Sequence, residues 1–299
     1  MAMRVFVTGG TGFIGTAVIA ELRQAGHAVL GLARGDEAAA ALVRAGAAAH
    51  RGELSDLDSL KAGARACDGA IHLAFIHDFA RYGESVATDR AAVEALVEAL
   101  AGSGRPLVVT SGTAVAAAGR LATEREPYDP QGPVAGRGAT ELVVEGAARR
   151  GVRSSVVRLP PTVHGAGDRA FVPALIDIAR RTGISAYIGE GLNRWPAVHR
   201  LDAARLFRLA LESAEPGSRL HGAAEEGTAV RAIADAIGGG LGLPARSLDP
   251  DEAAAHFGWL ASFLAIDNPT ASAITRETLG WRPTGPDLLT DLGASGYFA

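Results

Sequence analysis

Cysteine and lysine are almost missing from this chain. Cys67 and Lys61 are each the only residue of their kind among 299, and every other basic residue is an arginine, a habit that fits a GC-rich coding sequence. A single thiol excludes an internal disulfide framework and fits a reducing, cytoplasmic setting. A single lysine excludes any chemistry that needs a lysine at a fixed spacing from a partner, except around position 61. No apolar run reaches the roughly 18 residues of a membrane-spanning helix, so none is expected. The opening MAMRVFVTGG runs straight into a strand and a glycine turn, so no signal peptide is expected either. A net charge of -4 offers no basic surface for nucleic acid or an anionic membrane. The eight histidines are scattered, with no cysteine pair and no H-E-x-x-H, so no metal site is expected. A G-x-S-x-G elbow, the mark of a serine hydrolase, is also absent.

What is present is an alternation of short β-branched runs with alanine-rich helical stretches, and an apolar share of 48%, ample for a core. RVFVTGG, AVLGLA, Ala47–Arg51, GAIHLA, PLVVTS and SSVVRLP read as strands. Phe13–Ala25, Asp36–Ala45, Leu57–Ala66, Asp89–Ala101 and the segment from Pro133 to Gly151 read as helices. Strands separated by helices imply parallel pairing through right-handed crossovers. The expected fold is therefore α/β: a doubly wound parallel sheet of Rossmann type with a smaller C-terminal substrate lobe. The expected division is 1–165 for the dinucleotide-binding part, with a returning segment near 190–212, and 166–299 mainly for the lobe.

TGGTGFIG, Thr8 to Gly15, satisfies G-x-G-x-x-G through Gly10, Gly12 and Gly15, and Gly9 gives an overlapping spacing. The turn follows a strand and opens a helix, the context the motif needs. Glycine permits the tight turn and close approach of backbone to a pyrophosphate, which the helix N-terminus then holds. Thr8, Gly9, Gly10, Gly12, Phe13, Ile14 and Gly15 are the expected cradle. An acid at the end of the second strand would bind the adenosine ribose, but here that strand ends in Ala33 and Arg34. Arginine there suits a 2′-phosphate, so NADP(H) is preferred and NAD(H) stays possible. Glu53 and Leu54 are placed beside the adenine, or simply in a surface loop.

TGGTGFIG, GELSDLDSL, IHLA, VVTSGTAV, VVRLPPTVHG, PAVHRLDAARL and TLGWRP follow one another along the chain. In that order they resemble the extended and atypical short-chain dehydrogenases/reductases, the NAD-dependent epimerase/dehydratase-like group, over nearly the whole length. The resemblance implies that Ala74 lines the cofactor path and that Pro161, Thr162 and Val163 border the nicotinamide. It also implies a homodimer, built by pairing the helices Asp89–Ala101 and Arg137–Arg150. The family's chemistry uses a Ser or Thr with a Tyr-x-x-x-Lys pair, the tyrosine moving the proton and the lysine lowering its pKa. Here the sequence departs. Anchoring on Glu141 puts Pro133 at the tyrosine position and Arg137 at the lysine position, and none of the four tyrosines precedes a lysine at that spacing. Gly112 falls at the hydroxyl position, between Ser111 and Thr113. Arg137 keeps a permanent charge but donates no proton in catalysis.

Several side chains are candidates to replace the lost donor. His77, Asp78 and Tyr82 lie in a loop that borders the substrate in this fold; His77 reads as catalytic acid, pocket wall or surface histidine. Ser111 or Thr113 could donate to a carbonyl or cap the strand end, and Tyr128 could swing in. Asn193, Arg194 and Trp195 are candidate substrate contacts. His164, His199 and Asp202 read as structural, and Trp259 and Phe263 as core or pocket roof. The expected function is an NADP(H)-dependent oxidoreductase reducing a small carbonyl or imine. The alternatives are a nucleotide-binding sensor without turnover, and an isomerase or lyase on the same scaffold.

Overall fold

The computed structural model describes residues 1–78, 81–116, 118–132 and 134–299. Its first half is built from β1 (Arg4–Thr8), α1 (Phe13–Gln24), β2 (Ala28–Ala33), α2 (Asp36–Arg44), β3 (Ala48–Arg51), α3 (Leu57–Arg65) and β4 (Gly69–His72). There follow α4 (Tyr82–Leu100), β5 (Pro106–Gly112), α5 (Ala135–Ala148), β6 (Arg153–Leu159) and β7 (Thr162–His164). The second half adds α6 (Phe171–Thr182), β8 (Ser185–Ile188), β9 (Arg194–His199), α7 (Arg200–Ser213), β10 (Ser218–His221), β11 (Glu225–Ala229), α8 (Val230–Leu241) and β12 (Ala245–Leu248). It ends with α9 (Pro250–Phe257), α10 (Ala261–Leu264), α11 (Ala273–Leu279) and α12 (Leu288–Ala294).

One sheet of seven strands, in the order β10-β6-β5-β4-β1-β2-β3, pairs in parallel throughout. Strand alternation assigns its side chains to two cores. Val5, Val7, Ile71, Val108 and Val157 pack with α1 and α7 on one face. Phe6, Ala70, Leu107, Val109 and Val156 pack with α3, α4 and α5 on the other. A sheet covered on both faces explains why the strands read as near-continuous apolar runs. The chain leaves this sheet after β6 and returns to it through α7 and β10. Between and after these, β7, β9 and β11 form a small sheet, β8 pairs with β12, and a separate apolar core gathers around α6, α8 and α9. The fold is thus the doubly wound α/β type, and the carboxyl ends of β1, β4 and β5 face the lobe side.

One helix starts well before its expected first residue. The expected helix starts at Asp89, yet α4 begins at Tyr82 and Asp89 lies inside it, on the buried stripe Ser85, Asp89, Ala92, Val93 and Leu96. The stripe has the spacing of one helical face, and a carboxylate there needs a partner.

Candidate functional site

The turn after β1 admits only glycine at its closest approaches. Gly9 has φ of 71°, and a Cβ there would lie 2.8 Å from the Ala74 amide nitrogen. A Cβ on Gly15 would lie 2.0 Å from the Gly9 carbonyl oxygen. The Gly12 amide donates to that same carbonyl at 3.0 Å, which closes the turn. Helix α1 then starts with no side-chain cap and no acid in its first turn. The amides of Phe13 and Ile14 are left facing outward at the positive end of the helix dipole, an arrangement that fits a pyrophosphate. Thr8 ends β1 fully buried; its hydroxyl takes the Ala74 amide at 3.3 Å and bonds His72 Nδ1 at 2.9 Å. The strand that carries the turn is thereby tied to the strand that carries Ala74.

At the end of β2, Arg34 is exposed and makes no ion pair among the described residues. The neighbouring acid, Asp36, is turned to Arg51 at the end of β3. Glu53 is exposed and takes a hydrogen bond from the Ser55 hydroxyl at 2.8 Å, while Leu54 is half-buried beside the α3–α4 core.

Arg137 stands in the first turn of α5 and organises the centre of the site. Its Nη1 lies 2.7 Å from Asp89 Oδ1, and its Nη2 donates to the Thr110 carbonyl at 2.8 Å. Its guanidinium lies 4.2 Å over the Phe75 ring. Asp89 in turn meets His72 Nε2 at 3.3 Å. Thr8, His72, Asp89 and Arg137 therefore form one continuous line from the glycine turn to α5. Burial would push the Asp89 carboxyl upward, but the His72 hydrogen bond and the Arg137 charge outweigh it and hold the group below its ordinary value. The carboxylate is ionised and locked.

Phe75 collects the loop after β4 around this cation. Its ring meets His77 edge-on at 5.3 Å and Tyr82 at 6.2 Å. The surrounding chain strips hydration from His77, and Arg137 repels its charged form. Both lower its pKa below 6.5, although part of the ring still meets solvent. Burial raises the Tyr82 pKa, so its phenol stays protonated. Asp78 is engaged by Arg81 Nε at 2.9 Å. Tyr128 packs against α5, where a Cβ on Gly138 would come within 2.6 Å of its ring. Pro133, at the expected tyrosine position, lies outside the described residues.

Both candidate hydroxyls are buried at the end of β5. Ser111 lies on the face of β5 that turns towards α5. It is 6% exposed, bordered by Arg137, Thr140 and Glu141, because residues of its parity along the strand all face that helix layer. Thr113 is 1% exposed and donates to Asn268 Oδ1 at 2.6 Å, with the Asn268 amide returning to the Thr113 carbonyl at 3.2 Å. Ser111 thus borders the Arg137 side chain, and Thr113 is tied to Asn268. Asn193, Arg194 and Trp195, the candidate substrate contacts, make the following contacts within the lobe. The Asn193 amide donates to the Leu264 and Ile266 carbonyls. Arg194 is clasped by both oxygens of Asp267 at 3.0 and 2.9 Å, and Trp195 is buried. Pro161 is half-buried, while Thr162 and Val163 lie in β7, buried against β9, with the Thr162 hydroxyl on the Pro196 carbonyl. His164 is buried on Asp291 at 2.7 Å, and Asp202 holds the amides of Thr284 and Gly285, as expected of structural residues.

The family model described as "NAD dependent epimerase/dehydratase family" matches residues 5–221. The chain belongs to that family. It is 52% identical over 297 residues to an uncharacterized protein of Schizosaccharomyces pombe, covering 99% of this chain and 100% of the other. It is 36% identical over 233 residues to a 4-hydroxy-2-methyl-3-oxo-4-farnesyl-3,4-dihydroquinoline-1-oxide ketoreductase of Stigmatella aurantiaca, covering 73% of this chain and 67% of that one. Among solved structures it resembles MoeE5 in complex with UDP-glucose and NAD, with a TM-score of 0.79 and 22% identity over 99% and 98% of the two chains. No group of histidine, cysteine and acidic side chains among the described residues is arranged to hold a metal ion, and no helix there is long and apolar enough to cross a membrane.

Sequence reasoning missed Asp89 and His72, the pair that holds Arg137. The signal was present: an acid at an apolar position of a helical stripe, in a chain where arginine replaces the expected lysine. Buried charge requires a counter-charge.

Proposed function

We propose that the protein is an NADP(H)-dependent reductase of a small carbonyl or imine, working with Arg137 in place of the family's lysine. The observation that carries this reading is the fixed Arg137 guanidinium, held by Asp89 and the Thr110 carbonyl over Phe75. A bound nicotinamide would supply hydride to the electrophilic carbon. The charge that builds on the carbonyl oxygen needs a preorganised cation, which Arg137 provides without losing a proton. The proton reaches that oxygen from His77 or from water. The missing tyrosine forgoes a factor of about 10²–10⁴ in rate, which directs the activity to substrates already activated towards hydride. The ketoreductase relative supports reduction, and MoeE5, solved with NAD, supports a nicotinamide dinucleotide in the glycine cradle. Preference for NADP(H) rests on Arg34, a cation with no ion pair among the described residues where an acid would select NAD(H), with Asp36 neutralised by Arg51.

The test is a fluorescence titration with NADPH and, in parallel, NADH. NADPH binding at least about tenfold tighter is expected, and Arg34→Ala is expected to erase the difference. Preference for NADH would overturn the Arg34 argument alone. Binding of neither would overturn the reductase reading.

A further inference from the structure

We propose that Arg200 is a cofactor-binding residue, whose guanidinium pairs with the diphosphate of the dinucleotide and supplies the full positive charge that the glycine turn lacks. This rests on the dinucleotide reading above. Arg200 is the first residue of α7. Its guanidinium lies 5.2 Å from the centroid of the Phe13 ring, and Phe13 is the first residue of α1. Its Nη1 donates to the Ala166 carbonyl at 2.9 Å. Among the described residues no carboxylate pairs with it. The acid of its own first turn, Asp202, holds the amides of Thr284 and Gly285 instead, and α1 has no acid in its first turn.

The placement follows from two helices that run side by side over one face of the large sheet. Arg208 on α7 donates to Glu21 on α1 at 2.7 Å, and these two are as far apart in the sequence as Arg200 and Phe13. The helices are therefore parallel. Arg153, at the start of β6, holds the Leu211 carbonyl near the end of α7, so both N-termini open at the carboxyl ends of the strands, where ligands bind in open α/β sheets. The two arginines of α7 differ in company. Arg208, about two turns further along, is met by the carboxylates of Glu21 and Glu212. Arg200, at the end that opens on the crevice, meets a carbonyl and an aromatic face. The loop after β7 turns tightly around it: Gly165 and Gly167 have φ of 138° and 85°, and a Cβ on Gly165 would lie 3.1 Å from Arg200 Cγ. The segment before that loop, Pro161–Val163, is the one expected at the nicotinamide. Arg200 thus stands between the head of the glycine cradle and the nicotinamide border, where the linkage between the two nucleotide halves passes.

Charge explains why a cation belongs there. Each phosphate of the linkage carries a negative charge, against roughly half a positive charge at one helix end. The α1 amides supply directed donors, and a guanidinium adds a permanent charge with several N–H groups. Arg200 is half-buried, so its charge is screened less than that of a fully exposed side chain. Its task differs from that of Arg34. The diphosphate is common to NADPH and NADH, while the 2′-phosphate belongs to NADPH alone. Loss of Arg200 therefore lowers both affinities by one factor, whereas loss of Arg34 changes their ratio.

The test is a titration of the full chain with NADPH, NADH and 2′-AMP, the last carrying the 2′-phosphate without the diphosphate. Arg200→Gln is expected to weaken NADPH and NADH about tenfold each, to leave their ratio unchanged and to hold 2′-AMP within about twofold. Arg200→Lys is expected to recover part of the loss. A second measurement needs no variant: in the wild-type chain, inorganic pyrophosphate is expected to slow phenylglyoxal modification of Arg200, read by peptide mass, with the carboxylate-paired Arg208 as reference. An unchanged NADPH affinity in Arg200→Gln, a shifted NADPH-to-NADH ratio, a 2′-AMP affinity that falls as far as that of NADPH, or equal modification of Arg200 with and without pyrophosphate each overturns the proposal. The dinucleotide reading fails separately, if the wild-type chain binds neither NADPH nor NADH.

Discussion

Replacing Asp89 by asparagine keeps the side-chain volume and removes one charge from the line that joins Thr8 to Arg137. Its cost follows from what Arg137 would keep. Breaking a buried ion pair by removing one partner costs about 3–5 kcal/mol, because the other charge is left uncompensated. The Asp89 side chain is 1% exposed and that of Arg137 12%, so the site is close to fully buried. Arg137 would still hold the Thr110 carbonyl and the Phe75 ring, which places Asp89→Asn at the low end, about 3 kcal/mol. For a chain of this size that is a fall in Tm of about 6–9 °C. Urea denaturation at pH 7 measures it. A double-mutant cycle with Arg137→Met separates the pair from its surroundings: the double variant is expected to lose about 2 kcal/mol less than the two singles together. The pH dependence has a definite sign. The Asp89 carboxyl is held below its unfolded value of 3.8, so its contribution is complete above that pH and is lost as pH falls through the folded value. The gap between wild type and Asp89→Asn should therefore narrow only below pH 3.8. A loss under about 1 kcal/mol at pH 7, or additive singles, would refute the claim that Asp89 and Arg137 are a mutually dependent pair.

Two further outcomes are expected. Gly15→Ala forces a Cβ to within 2.0 Å of the Gly9 carbonyl oxygen, so the turn must open, and loss of NADPH binding at a fold stability lowered by no more than about 3 kcal/mol should appear in paired titration and melting experiments. His77, with its pKa lowered below 6.5 by stripped hydration and by Arg137, is mostly neutral at pH 7. If it is the proton donor, kcat/KM for NADPH-dependent reduction climbs as pH drops through that lowered value, and His77→Gln gives a flat profile; matching profiles would assign the proton to water.

Much of this molecule is local and was therefore readable. TGGTGFIG needs only its own residues to define a turn, and the near-continuous apolar strands announce a sheet covered on both faces. What was not readable shares one cause. The sequence puts a helix start at Asp89, and the reason for an acid mid-helix, Arg137, sits on α5. The partner of Thr113, Asn268, is 155 residues away. The partners of Asn193 and Arg194 lie in the segment from Leu264 to Asp267. A polar side chain's task is fixed by what the folded chain brings to it, and composition and spacing do not carry that information.

The same point governs the loss of the tyrosine–lysine pair. In a lysine-bearing site the ammonium is a compact charge, while a guanidinium is a plane with donors on several edges. An arginine in that place needs contacts to hold it steady, and here they are the Asp89 carboxylate as ion-pair partner, the Thr110 carbonyl as acceptor and the Phe75 ring beneath. Asp89 needs support in turn, which His72 gives, and His72 is bonded to Thr8 at the root of the glycine turn. Buried contacts thus run without a break from the root of the glycine turn to Arg137 on α5. Under the proposed reading, a cation so tied serves as a fixed electrostatic element and not as a proton relay, and the proton has to come from another group or from water.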